Sequence, residues 1–195
     1  MKALIAALGA VGLLAGCASN TEDDTAPAAA VDPSSPLSAP GFMAMAASSD
    51  QFEIQSSQMA LQMSQNPQVR QFAQMMIDGH SRTTAELTQI ASANGLTPPP
   101  PTLMPTQQAA LDRLRAAPPQ EFDAAYKREQ ITGHQETLTA MQNYAAQGDL
   151  PPLRDFASRT APIVQQHLTM AQGLPEMSMT PPPPPPAPAR AGERG

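Results

Sequence analysis

Tryptophan is absent from the chain, cysteine occurs once, and only five phenylalanines and two tyrosines are present. A single cysteine excludes a disulfide framework. A core this poor in aromatics is filled by aliphatic and thioether side chains, and most of the 12 methionines read as gap-fillers of that kind rather than as copper ligands. Basic residues are few: 11 Lys and Arg stand against 17 Asp and Glu, with no basic stripe, so nucleic acid is not an expected partner. The Glu-x-x-His pairs of a di-iron carboxylate centre do not occur, which argues against a ferroxidase or di-iron oxidase. No Ser or Cys nucleophile motif and no phosphate-binding glycine loop is found, and the chain is read as a non-enzyme.

The one long apolar run is N-terminal. Lys2 precedes an uninterrupted apolar stretch to Leu14, too short and too rich in small residues to span a membrane, which reads as a secretory signal peptide. It ends in Leu14-Ala15-Gly16-Cys17, which resembles the bacterial lipobox. An ordinary signal peptide with a stray cysteine is the alternative, but the sole cysteine stands where a lipoprotein needs it. The resemblance implies cleavage before Cys17 and lipidation of Cys17 with several acyl chains, enough for stable anchoring. Ala18, in place of Asp, implies by the same resemblance sorting to the outer membrane of a Gram-negative cell envelope, on its periplasmic face.

Four segments follow: a lipoprotein signal peptide (1–16), a lipidated Cys17 with a disordered tether (17–40), a folded domain (41–174) and a Pro-rich tail (175–195). The tail carries a run of six prolines expected to form polyproline II, either as a spacer or as a ligand for an envelope partner. Its Met177-Ser178-Met179 is a candidate for soft-metal binding.

Within 41–174 Ala, Gln, Met and Leu dominate, Val, Ile, Tyr and Thr are sparse, and no β signal is found. Asn66-Pro67, Asn94-Gly95, Pro118-Pro119 and Gly148-Asp149 cut the region with turn and cap chemistry. The spacing predicts helices over about 42–65, 67–94, 119–147 and 151–173, with a short helix at about 106–117 in the long second connection. Apolar stripes run along all four: Phe42, Met45, Phe52, Met59 and Met63, with Ile54 and Leu61 on a second flank; Val69, Phe72, Met76, Thr83, Leu87 and Ile90; Phe122, Tyr126, Ile131, Leu138 and Met141; Leu153, Phe156, Val164, Leu168 and Ala171. The fold expected is an all-α, ferritin-like four-helix bundle of two antiparallel hairpins, with Pro162 kinking the last helix.

The three histidines and one glutamate fall at one height in that bundle. Glu53 and His80 are equidistant from the Asn66-Pro67 turn, and His134 and His167 are nearly so from the Gly148–Leu150 turn. At about 1.5 Å of rise per residue, the mismatch is only about one helical half-turn. Each stands on or beside its helix's apolar stripe. An inward carboxylate is costly unless paired or bound to a cation. Three readings follow. Glu53, His80, His134 and His167 form a hydrogen-bonded polar layer that fixes helix register; or they ligate one transition metal, a three-nitrogen, one-oxygen set suited to Zn or Fe; or the helix ends are displaced and the levelling is accidental.

The segments "FAQMMIDGHSRTTAEL" (72–87), "FDAAYKREQITGHQETL" (122–138) and "LRDFASRTAPIVQQHL" (153–168) resemble Domain of Unknown Function 4142, a family of bacterial envelope proteins. The resemblance covers about 42–173 and implies a ferritin-like helical fold in a lipidated or secreted chain, without an activity. Gly79 stands where that family more usually carries Asp or Asn before the histidine. The function expected is a non-enzymatic envelope lipoprotein that binds a partner or serves stress tolerance, or alternatively a periplasmic metal-binding module built on the Glu/His layer.

Overall fold

The computed structural model describes residues 32–175. Cys17, Met177, Met179 and the proline run lie outside them. Five α-helices follow one another: α1 (Ala39–Met63), α2 (Pro67–Ala93), α3 (Pro105–Ala116), α4 (Phe122–Gln147) and α5 (Pro151–Gln172). No strand occurs among the described residues. α1 pairs with α2 and α4 with α5 as antiparallel hairpins, α1 packs on α4, and α2 and α5 approach each other only lightly. This is the expected four-helix bundle, with α3 lying in the α2–α4 connection against α1 and α4.

The helix ends show their causes. Ser38 accepts the Gly41 amide at 3.1 Å, and α1 therefore starts three residues before the expected position 42. Asn66 Oδ1 accepts the Gln68 amide at 2.9 Å ahead of Pro67, which fixes the α1–α2 turn. α2 ends in a Schellman motif: Gly95 has φ +68°, Leu96 N–H reaches Ala91 C=O at 2.9 Å and Gly95 N–H reaches Ser92 C=O at 3.3 Å. α4 begins at Phe122 rather than at Pro119. Neither Pro118 nor Pro119 can donate, and the Glu121 amide bonds Pro118 C=O at 2.8 Å, so residues 119–121 form a single 3₁₀ turn. α5 stays helical through Pro162. The missing N–H leaves the Ser158 carbonyl without its helical donor, on the exposed face of α5.

The core is divided in two. One apolar cluster gathers Phe52, Val69, Phe72, Met76, Leu111, Leu114, Phe122 and Tyr126. The other gathers Phe42, Leu87, Met141, Tyr144, Leu153 and Phe156, with Phe42 stacked on Tyr144 at 4.0 Å between centroids. Between them, on α2, α4 and α5, lie the three histidines. The stripe expected on α1 needs correction: Met63 is 41% exposed and Met45, Met59, Ile54 and Leu61 are only partly buried. Phe42 and Phe52 are buried as expected, and the rest of the inner face of α1 is built from Ala46, Ser49, Asp50, Glu53, Ser56, Ser57 and Ala60. Small and hydroxyl side chains there let α4 come close, and three of the serines bond across. Ser49 Oγ meets Thr137 Oγ1 at 2.8 Å, Ser57 Oγ meets Tyr126 Oη at 2.7 Å, and Gln130 Nε2 donates to Ser56 Oγ at 3.1 Å. On α4 the face between the clusters is correspondingly polar, with Gln130, His134 and Thr137 buried, while Ile131 and Leu138 flank it.

Candidate metal centre

His80 (α2), His134 (α4) and His167 (α5) face one another as a nearly equilateral triangle. Ring centroids are 6.0 Å apart for His80–His134, 6.0 Å for His80–His167 and 5.7 Å for His134–His167. One nitrogen from each lies within 4.8 Å of the other two. Nitrogens about 2.0–2.1 Å from a metal in a trigonal or tetrahedral set are roughly 3.3–3.6 Å apart, so modest ring rotations close the triangle on an ion.

Hydrogen bonding fixes which nitrogens point inward. His134 Nδ1 lies 2.8 Å from Gln130 C=O, which only accepts, so Nδ1 carries the proton and Nε2 the lone pair. His80 Nδ1 lies 2.8 Å from Asp50 Oδ1, which orients that ring the same way. Thr83 Oγ1 stands 3.0 Å from Asp50 Oδ1 and Thr84 Oγ1 stands 2.8 Å from Asp50 Oδ2, so the carboxylate accepts on both oxygens. His80 Nε2, His134 Nε2 and His167 Nδ1 are then buried polar atoms with no hydrogen-bond partner. Three unpartnered imidazole nitrogens at one point constitute an uncompensated cost that a bound cation removes.

Electrostatics keep most of this donor set neutral. Burial, then the charge on His80, lowers His134 to about 4. Burial, then the charges on His134 and His80, lowers His167 to about 4. His80 goes the other way: burial opposes its cation, but the Asp50 hydrogen bond and the carboxylates of Glu53 and Asp50 together raise it. Glu53 is raised to about 7 by burial, against the pull of His80. At neutral pH two of the three imidazoles are free bases, the form that binds metal.

Of the four residues expected from sequence, the structure brings the three histidines together. Glu53 is adjacent but outside the triangle: its Oε1 is 3.6 Å from His134 Nδ1, on the far side of that ring from the free nitrogen. Asp50, three residues earlier on α1 and 5% exposed, was not anticipated. The available signal was Asp50 with Glu53 as an i, i+3 acidic pair on an inward face, but the alanines and serines around Asp50 do not read as an apolar stripe. One of the described cavities borders the triangle, at His80 and His167, while the three inward nitrogens are themselves closed to solvent. A cleft of about 400 Å³ between α2 and α5 is bordered by Gly79, His80, Thr83, Arg159 and His167.

The likeness to known proteins agrees with the fold. Solved structures of CopM superpose with TM-scores of 0.60 for the Cu(II)-bound form, 0.59 for the apo form and 0.58 for an Ag-bound form, at 20%, 21% and 20% identity. Each covers 70% of this chain, and 94%, 94% and 93% of the CopM chain respectively. No curated protein sequence matches the chain. The family model of the domain of unknown function DUF4142 matches residues 23–174, which spans the whole bundle, and the chain belongs to that family.

Proposed function

We propose that the protein is a non-enzymatic metal-binding module of the cell envelope that holds one copper-type ion on His80, His134 and His167. The observation that carries this reading is the convergence of three buried, unpartnered imidazole nitrogens within 4.8 Å of one another. Imidazole suits copper as well as Zn or Fe, and the donor set alone does not choose among them. The similar CopM structures contain Cu(I), Cu(II) or Ag, which favours copper over the Zn or Fe expected from sequence. In this reading Cys17 carries the lipid anchor, the module faces the periplasm, and no catalytic step is assigned.

The test is metal content and thermal stability of the full chain, without a His tag, after exposure to Cu(I), Cu(II), Ag(I), Zn and Ni. One copper or silver per chain is expected. At a free metal concentration 100 times Kd the gain is about 2.7 kcal/mol, which for a domain of this size raises Tm by roughly 5–15 °C. Protein that stays metal-free, with no Tm shift from any of these ions, sinks the proposal and leaves the layer as a register device.

Asp50→Asn keeps the shape but replaces an acceptor by a group that can also donate to His80 Nδ1. The ring is then free to present Nδ1 unprotonated to the amide and Nε2–H to the ion. Copper affinity is expected to fall about 10–100-fold, the usual cost of losing the partner behind a ligating histidine. Competition with a calibrated chelator measures it, and unchanged affinity would deny Asp50 its orienting role.

A further inference from the structure

Three imidazoles leave a Cu(II) ion, which takes four or more ligands, at least one coordination position short. The surroundings of the triangle decide where that position opens. Toward α1 stand Asp50 and Glu53, both buried, with Asp50 committed to His80, Thr83 and Thr84. Above and below lie the two apolar clusters. Among the described cavities, the one that borders the histidines lies on the α2–α5 side, the cleft of about 400 Å³ lined by His80 and His167. Gly79 keeps its inner end open: a Cβ built there would stand 3.7 Å from His167 Cε1, so a larger side chain would project toward the ring and fill the approach.

The charge at this opening is positive. Arg82, Arg159 and Glu86 line the cleft, and Glu86 Oε1 is taken by Arg159 Nη2 at 2.9 Å. Two guanidinium groups therefore face one carboxylate. Thr160 adds a hydroxyl, and Ile163 and Val164 an apolar wall. A cation held by three neutral imidazoles at the end of such a cleft attracts an anion strongly, because the site is partly shielded from water.

We infer that the α2–α5 cleft is the binding site of a small monovalent anion, a halide, pseudohalide or short carboxylate, which enters past Arg82 and Arg159 and completes the coordination of the metal held by His80, His134 and His167. This rests on the proposed function. The anion contributes one lone pair to the ion and nothing is oxidised or reduced. Arg82 and Arg159 draw it in, and Glu86 restrains Arg159.

Azide is the probe. The full chain is loaded with one Cu(II) in a non-coordinating buffer and titrated with azide, following the azide-to-copper charge-transfer band and the EPR signal. A saturable one-to-one response is expected. Arg82→Gln with Arg159→Gln weakens azide about three- to tenfold, as loss of two screened charges should, with copper stoichiometry unchanged. Glu86→Gln strengthens azide binding, and Gly79→Leu weakens it more than the arginine pair does. One copper per chain without a saturable azide response overturns the anion site and leaves the metal reading standing, and so does a response indifferent to all of these substitutions. A chain that takes up no copper overturns the metal reading and the anion site together.

Discussion

His80→Ala combined with His134→Ala is expected to lower copper and silver affinity by at least about a thousandfold, roughly 4 kcal/mol. Losing only the partner behind a ligating histidine costs about 10–100-fold, and removing two of three donors costs more than that twice over. The double variant also disturbs the apo fold. His134 is 2% exposed and neutral at pH 7, so its loss leaves a small cavity, and His80→Ala strips Asp50 of one partner while Thr83 and Thr84 remain. Together these destabilise by about 1–4 kcal/mol. His167→Ala separates the two effects. His167 is half-buried, its Nδ1 has no hydrogen-bond partner, and its removal breaks no polar contact in the apo protein. Isothermal titration with Ag(I), beside far-UV circular dichroism, is the measurement. Stoichiometric, tight metal in a folded His80→Ala, His134→Ala protein would place the ion elsewhere.

How much of this was written in the sequence differs between helices. α2 and α5 were legible because Val69, Phe72, Met76 and Leu87, and Leu153, Phe156, Val164 and Leu168, repeat at three and four residues and are all buried. α1 was misread on its inner face. Its buried positions are mostly Ala and Ser, and a periodicity of apolar size does not register them. Ser49, Ser56 and Ser57 bond to α4 and Ser48 accepts the Met104 amide, which depends on long-range partners such as Thr137 or Tyr126. The doublets Ser48-Ser49 and Ser56-Ser57, about two turns apart on one face, were the available trace. The level of the histidines was legible because the turns at Asn66-Pro67 and Gly148–Leu150 fix helix phase from outside. Their rotation was not, because it depends on hydrogen bonds that orient each ring. This is why Glu53 was expected as a ligand and Asp50 was overlooked, although Asp50 holds the ring of His80 and Glu53 sits behind that of His134.

Glu53→Gln is expected to be nearly neutral at pH 5 and to stabilise the metal-free protein by about 2–3 kcal/mol at pH 8. Glu53 is 1% exposed, its Oε2 has no hydrogen-bond partner, and burial raises it from 4.5 to about 7. The folded state therefore binds more protons than the unfolded state between about pH 4.5 and 7. Stability contributed by the protonated carboxyl is complete below pH 4.5 and is lost as pH rises through 7. Glutamine has the same shape and cannot ionise, so the variant escapes that loss. His134 and His167, lowered to about 4, work in the opposite sense. They leave the folded state with fewer bound protons, and stability falls as pH drops from 6.5 toward 4. Both proteins share that behaviour, so it cancels in the difference between them. Urea denaturation of the two chains at pH 5 and pH 8 measures the effect, and an equal difference at both pH values would refute it. Adding Ag(I) at pH 8 should shrink the advantage of glutamine or reverse its sign. An ionised Glu53 behind the His134 ring then lies near a bound cation, whose charge offsets part of the cost of burying the unpaired carboxylate.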